Sequence, residues 1–331
     1  ANQIFQKGKT IGFTSKIKNY SNQSVNDSVV SLFINGRRSA QQSLNLGANE
    51  TKEISFEAAL ADTGLVEVYA ELEDDDILQD NKRFYSVYVP DKISLLILSD
   101  NRDDSKYVRL AIDDPLQRNK ITELSLAQAS FTNFKNYDVV FIIGSEKNSD
   151  WKNLAQFTEQ GGKVLLMPGS QSTVPGFQKL CNAIGISIPT NTVGKINSQE
   201  SIAQFDKIDF QNPLFADLFE SKTQPRIESP EIYYYFKINP ANKGKNIIGM
   251  VDGSSFLSEY KVGAGKVFVL NSPPLLSCNT FPMKGFYAPL MNKLELTCAS
   301  KIKEQETTVA GHSIAVDISN HTVSQIKIVK P

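Results

Sequence analysis

The stretch "ISLLILSD", Ile93–Asp100, decides the reading of this chain. Apart from Ser94 it is apolar through Leu98, with no alternation. A strand that faces water on one side alternates in polarity. One covered on both faces does not, as in a parallel sheet layered with helices. "YDVVFIIG" (Tyr137–Gly144) and "KVLLMPG" (Lys163–Gly169) repeat the pattern. Helical segments separate the three runs. "DDSKYVRLAIDDPL" (103–116) carries Tyr107, Leu110 and Ala111 on one stripe, with Pro115 near its end. "SDWKNLAQFTEQGG" (149–162) offers Ser149 or Asp150 as a cap and Gly161 as a stop, and "VPGFQKLCNAIG" (174–185) ends on Gly185. "ITELSLAQ" (121–128) reads as a further strand. Strand and helix in alternation give a three-layer α/β domain over 91–300.

Upstream, the texture differs. "KTIGFTSKIKNYS", "SVVSLFING", "KEISFEAAL" and "GLVEVYAEL" follow a period of two, and Asn35-Gly36 is a strong hairpin signal. Short strands at roughly 8–12-residue spacing predict an immunoglobulin-like β-sandwich over 1–90. Downstream of the α/β strands, "FDKIDFQNPLFADLFE" reads as a loop and short helix over the sheet, "YKVGAGKVFV" as a hairpin and "FYAPLMNKLELTC" as a closing helix. Residues 301–331 read as the start of a further β segment, and both ends of the sequence read as cut from a longer chain.

Composition narrows the function. A net charge of −1 over 331 residues gives no basic footprint for nucleic acid. The three cysteines, Cys181, Cys278 and Cys298, form no CxxC pair and read as buried thiols. No apolar run reaches the ~20 residues needed to cross a bilayer, and the N-terminus lacks a signal-peptide layout. The two histidines, His312 and His321, lie beyond the α/β segment, so a triad there lacks a histidine of its own.

Motif tests agree. The acidic run in "LEDDDILQDNKRF" fails the EF-hand frame: counted from Asp74, the sixth residue is Gln79 and the twelfth Tyr85. A looser cation site from Asp74, Asp76 and Asp80 stays open beside the reading as an exposed strand connection. "DGSSF" (252–256) puts Phe256 where an adhesion-type metal motif needs a ligand, so Asp252-Gly253 reads as a turn. "VGAGKVFV" opens a strand, where a phosphate loop must open a helix. "MPGSQS" places Gln171 at the nucleophile position of an elbow. Asn-x-Ser/Thr sequons begin at Asn19, Asn22, Asn26, Asn49 and Asn320.

The order of parts, with Asp75, Asp80, Asn81 and Phe84 in a D-x-L-x-x-D-N-x-x-[FY] frame (Ile77 replacing Leu), resembles the extracytoplasmic region of BatA-type, aerotolerance-associated membrane proteins common in Bacteroidetes. "NYDVVFIIG", "LAQFTEQGGKVLLMPG", "FQNPLF", "YKVGAGKVFVLNSP" and "FYAPLMNKL" look like segments of class I glutamine amidotransferase-like, flavodoxin-like domains. The likeness spans roughly 10–300. It implies an N-terminal membrane anchor outside this sequence and a periplasmic location. The amidotransferase triad does not carry over: no Cys sits at the elbow directly after "KVLLMPG", and no His-x-Glu follows later.

The expectation is a non-enzymatic binding or scaffold region with a protein partner in the cell envelope, no catalytic residues, no metal and no cofactor. A ligand would enter at the carboxyl ends of the parallel strands, at Ser99, Asp100, Gly144, Ser145, Gly169 and Ser170. Two alternatives stand beside it. One is a carboxylate- or metal-dependent hydrolase of envelope or carbohydrate substrates, drawing on Asp100, Asp103, Asp104 and Glu146, residues that could equally cap the following helices. The other is an assembly protein working through a sandwich edge or the aromatic run Tyr233–Phe236, which requires that run to be exposed.

Overall fold

The computed structural model describes residues 5, 7–73, 81–89, 91–113, 119–148, 150–215, 218, 227–241 and 243–299. The chain divides into two compact units, Ala1–Ser300 and Lys301–Pro331, and the described residues all lie in the first. The acidic run Asp74–Asp80, both histidines and the expected C-terminal β segment fall outside the described residues.

Among the described residues, six strands build the N-terminal sandwich. β1 (Thr10–Lys18) pairs antiparallel with β4 (Thr51–Ala59). β2 (Val25–Ile34), β3 (Arg37–Leu46), β5 (Gly64–Leu72) and β6 (Lys82–Val89) form a second sheet in the order β3-β2-β5-β6. Alternation sends Ile11, Ile54 and Phe56 of one sheet and Val30, Leu32, Val66, Val68 and Val87 of the other into a single buried cluster. Full burial of such side chains is worth roughly 1.5–3 kcal/mol each. The β2–β3 hairpin turns on Asn35 (φ 47°) and Gly36 (φ 75°), the left-handed pair that the Asn-Gly signal predicts. On the outer face, Phe33, Tyr69 and Phe84 stand in cross-strand register, with ring centroids 4.7 and 5.2 Å apart.

The rest is a mixed α/β assembly. Eight strands form one sheet: β7 (Ile93–Ser99), β8 (Asn119–Ser125), β9 (Val139–Ile143), β10 (Lys163–Met167), β12 (Phe205–Ile208), β14 (Gly244–Met250), β15 (Ser255–Val262) and β16 (Gly265–Leu270). Their order is β12-β14-β15-β16-β10-β9-β7-β8. The run from β16 to β8 is parallel, and the extension through β15, β14 and β12 is antiparallel. β11 (Asn191–Gly194) and β13 (Tyr234–Lys237) make a separate antiparallel pair. Segment 205–208, read as loop from its polar sequence, is thus an edge strand.

The continuous apolar runs are covered on both faces. Leu95 and Ile97 of β7 share a cluster with Val108 and Ile112 of α1 (Arg102–Ile112) and with Leu290 and Leu294 of α4 (Tyr287–Ala299). The alternate residues, Leu96 and Leu98, join Leu154 of α2 (Lys152–Glu159) and Phe177 and Leu180 of α3 (Val174–Ile184). On α1 the expected stripe needs correction. Leu110 is 64% exposed, and the inward positions are Asp104, Ser105, Val108, Ala111 and Ile112. The first turn of α1 points polar groups inward because it abuts the strand ends, where polar loops await them.

The glycines of "VGAGKVFV" serve the β15–β16 hairpin, closed by Val262 opposite Gly265. A Cβ on Gly265 would sit 2.1 Å from the Thr158 carbonyl oxygen, so close approach to the end of α2 explains its glycine.

Candidate functional site: the carboxyl ends of the parallel strands

β7 leads through α1 to β8 on one side, while β9 lies on the other side of β7. The direction of winding therefore reverses between β7 and β9, and a crevice is expected outside their carboxyl ends. Ser99 ends β7 and Asp100 follows it, Gly144 and Ser145 follow β9, and Gly169 and Ser170 lie just beyond β10.

Carboxylates already occupy this place. Asp100 is 2% exposed. Its Oδ2 accepts the backbone N–H of Ser145 at 2.8 Å and of Glu146 at 3.0 Å, and its Oδ1 accepts that of Lys147 at 2.9 Å. The Lys147 ammonium donates to the Asp100 carbonyl oxygen. Gly144 sits at φ 112°, and a Cβ there would meet Asp100 Oδ2 at 2.2 Å, so only glycine lets the loop close over the carboxylate.

The same device recurs at the next two loops. Glu146 Oε1 accepts the N–H of Thr173 at 2.9 Å, its hydroxyl at 3.1 Å and the Ser145 hydroxyl at 3.0 Å. Asp104 Oδ2 accepts the N–H of Ser170 at 2.9 Å. Ser172 closes the turn after β10: its hydroxyl oxygen accepts from Gly169 N–H at 2.9 Å. Asp100, Asp104 and Glu146 thus hold the loops beyond β9 and β10. Capping of α1 falls to Asn101, which accepts from Asp103 N–H at 3.2 Å. On α2, Asp150 accepts from Lys152 N–H at 3.0 Å, and Ser149 lies outside the described residues.

Asp104 differs from its neighbours. It is 1% exposed, and its Oδ1 is buried without a hydrogen bond. Burial raises its pKa above the usual carboxylate value. The Ser170 amide and hydroxyl oppose the rise, and the charges of Asp100 and Asp103 add to it. Burial pushes the Cys278 thiol up to about 11, with a smaller rise from the Asp104 charge, so it is no ready nucleophile. Cys181, inside α3, rises to about 12 by burial.

A second carboxylate cluster, which the sequence presents only as an Asp-Gly turn, closes the β14–β15 connection. β15 runs antiparallel to β16, with Leu257 opposite Leu270, which brings this turn to the same end of the sheet. Asp252 accepts from Ser254 N–H at 3.0 Å, from the Ser254 hydroxyl, from Tyr235 OH at 2.9 Å and from Lys237 Nζ at 3.0 Å. Burial alone would raise its pKa, but these donors outweigh burial and hold it down at about 2. Tyr235 is driven up to about 12, first by burial and then by Asp252. Within the aromatic run, Tyr233, Tyr235 and Phe236 are buried and Tyr234 half-buried, so the exposed aromatic face required for an assembly role is absent there.

Among the described residues no group of three or more His, Cys, Asp or Glu side chains is arranged to hold a metal, and no helix is long and apolar enough to cross a membrane. No family model matches the chain, and no curated protein matches it. Among solved structures, a cytoplasmic protein of Salmonella typhimurium is 14% identical over 61% of this chain and 97% of its own, with TM-score 0.46. A second cytoplasmic protein, from Salmonella typhimurium LT2, is 15% identical over 62% of this chain and 99% of its own, with TM-score 0.47. The CARDB domain of a Pyrococcus furiosus protein, solved in complex with di-metal ions, is 20% identical over 26% of this chain and 78% of its own, with TM-score 0.24.

Proposed function

We propose that this chain is a non-enzymatic binding or scaffold region of a membrane-anchored bacterial envelope protein of the BatA type, carrying an amidotransferase-like domain without its triad. Its place is periplasmic, its partner is another envelope protein, and its anchor is the helical pair that such proteins carry ahead of the sandwich. The parallel order β8-β7-β9-β10-β16 corresponds to the 2-1-3-4-5 winding of flavodoxin-like domains, which supports the finer fold reading.

One observation carries the proposal. At the strand ends where such a domain does its chemistry, Asp100 and Glu146 are hydrogen-bonded to neighbouring loops, and the turn after β10 presents Gln171 where a nucleophile would stand. Incubation with glutamine and with a panel of ester, amide and glycoside substrates should give no turnover above the blank. Crosslinking in the envelope of the source bacterium should yield a discrete protein adduct. Turnover in the panel would overturn the reading.

Asp104 favours a second reading, a carboxylate-dependent hydrolase. A buried carboxyl with a raised pKa and one bare oxygen is the form a general acid takes. Loss of any measured hydrolysis in Asp104→Asn, with folding intact, would support that alternative.

A further inference from the structure

The amides of Ser145, Glu146 and Lys147 converge from a turn that precedes α2 by several residues, so they belong to no helix end. Successive N–H groups aimed at one point form a concave anion site. Two of the amides meet one oxygen and the third meets the other, which matches a planar carboxylate. Glu146 and Lys147 are exposed residues, whereas Ser145 and Asp100 are buried.

We propose that the Ser145–Lys147 turn is a carboxylate-binding nest at the winding reversal of the sheet, and that Asp100 is a tethered anion that keeps it filled. In the native chain Asp100 outcompetes free anions because its tether gives it a high effective concentration. The switch point is therefore closed to free carboxylates, and removal of the Asp100 side chain opens it to them. The inference shares the Asp100 contacts with the non-enzymatic reading but concerns occupancy of the nest, so its test reads out separately from any turnover.

Chemical rescue tests it. In Asp100→Gly the nest is left empty. Sodium formate should raise the Tm of this variant saturably and recover most of the loss. Wild type should show only the small, non-saturating response that sodium chloride gives. Asp100→Asn, which still fills the space, should lose stability without being rescued. In Asp100→Gly, formate should move the 1H–15N resonances of Ser145, Glu146 and Lys147 with the same half-saturation as the Tm. If Asp100→Gly refolds poorly, Asp100→Ser takes its place, and formate present during refolding should restore yield. Four results overturn the proposal: a formate response no larger than that of wild type, equal rescue by chloride, shifts confined to amides outside 145–147, or failure of both cavity variants to refold with formate while Asp100→Asn folds.

Discussion

Two loops at the same end of the large sheet hold a carboxylate in opposite ways. Beyond β7, Asp100 is gripped by three backbone amides. Between β14 and β15, Asp252 is gripped by a tyrosine, a lysine and a serine, with one amide. Backbone donors survive any substitution but proline, so the first arrangement depends chiefly on its acceptor. Side-chain donors are removable one at a time, so the second should fail gradually.

The largest expected effect follows from the first arrangement. Asp100→Ala leaves three amides without their acceptor and should cost about 3 kcal/mol, less where water reaches Glu146 and Lys147. Chemical denaturation measures it, and a loss below ~1 kcal/mol would break the contrast. Asp252→Ala should cost less, about 2 kcal/mol, chiefly because the buried Tyr235 hydroxyl loses its acceptor. Lys237→Met should cost under about 1 kcal/mol, since the lysine side chain is 41% exposed.

Acid titration sharpens the comparison by sign. The pKa of Asp252 falls from 3.8 to about 2 on folding. Its contribution is therefore present above the unfolded value and is lost as pH drops from about 4 towards 2. Discounted for partial exposure, that loss is about 1 kcal/mol, and Asp252→Asn should abolish this slope. Asp104 runs the other way. Its pKa is raised on folding, so its charge is a penalty above the folded value that protonation relieves on acidification. Asp104→Asn keeps an acceptor for Ser170 and should hold or raise stability at neutral pH by roughly 0.5–1 kcal/mol. A loss above ~2 kcal/mol would mean that Oδ1 has a partner in solution.

The large sheet is legible in the sequence where burial is two-sided. Ile93–Leu98 and Val139–Ile143 have little room for polar side chains, and their runs announce it. The sandwich is legible through period two and Asn35-Gly36. Legibility stops where polarity and burial part company. Leu110 looks inward by hydropathy and faces water, while Asp104 and Ser105 look outward and are buried. The rule that ligands enter at strand ends selects Ser99, Asp100, Gly144, Ser145, Gly169 and Ser170 as positions. It does not reveal that the Asp100 and Glu146 side chains are engaged there, since their partners lie 45 and 27 residues along the chain. Nor does a local turn signal at Asp252-Gly253 reveal Tyr235 and Lys237.

The account turns on the closure of the strand ends by Asp100, and amide hydrogen exchange at Ser145, Glu146 and Lys147 tests it most directly. Glu146 and Lys147 are exposed residues, so an open loop there would exchange at the rate of an unstructured peptide. The predicted result is protection of all three amides in the wild-type chain and its collapse in Asp100→Ala. Rapid exchange at these amides in the wild-type chain, or protection that survives Asp100→Ala unchanged, would contradict it.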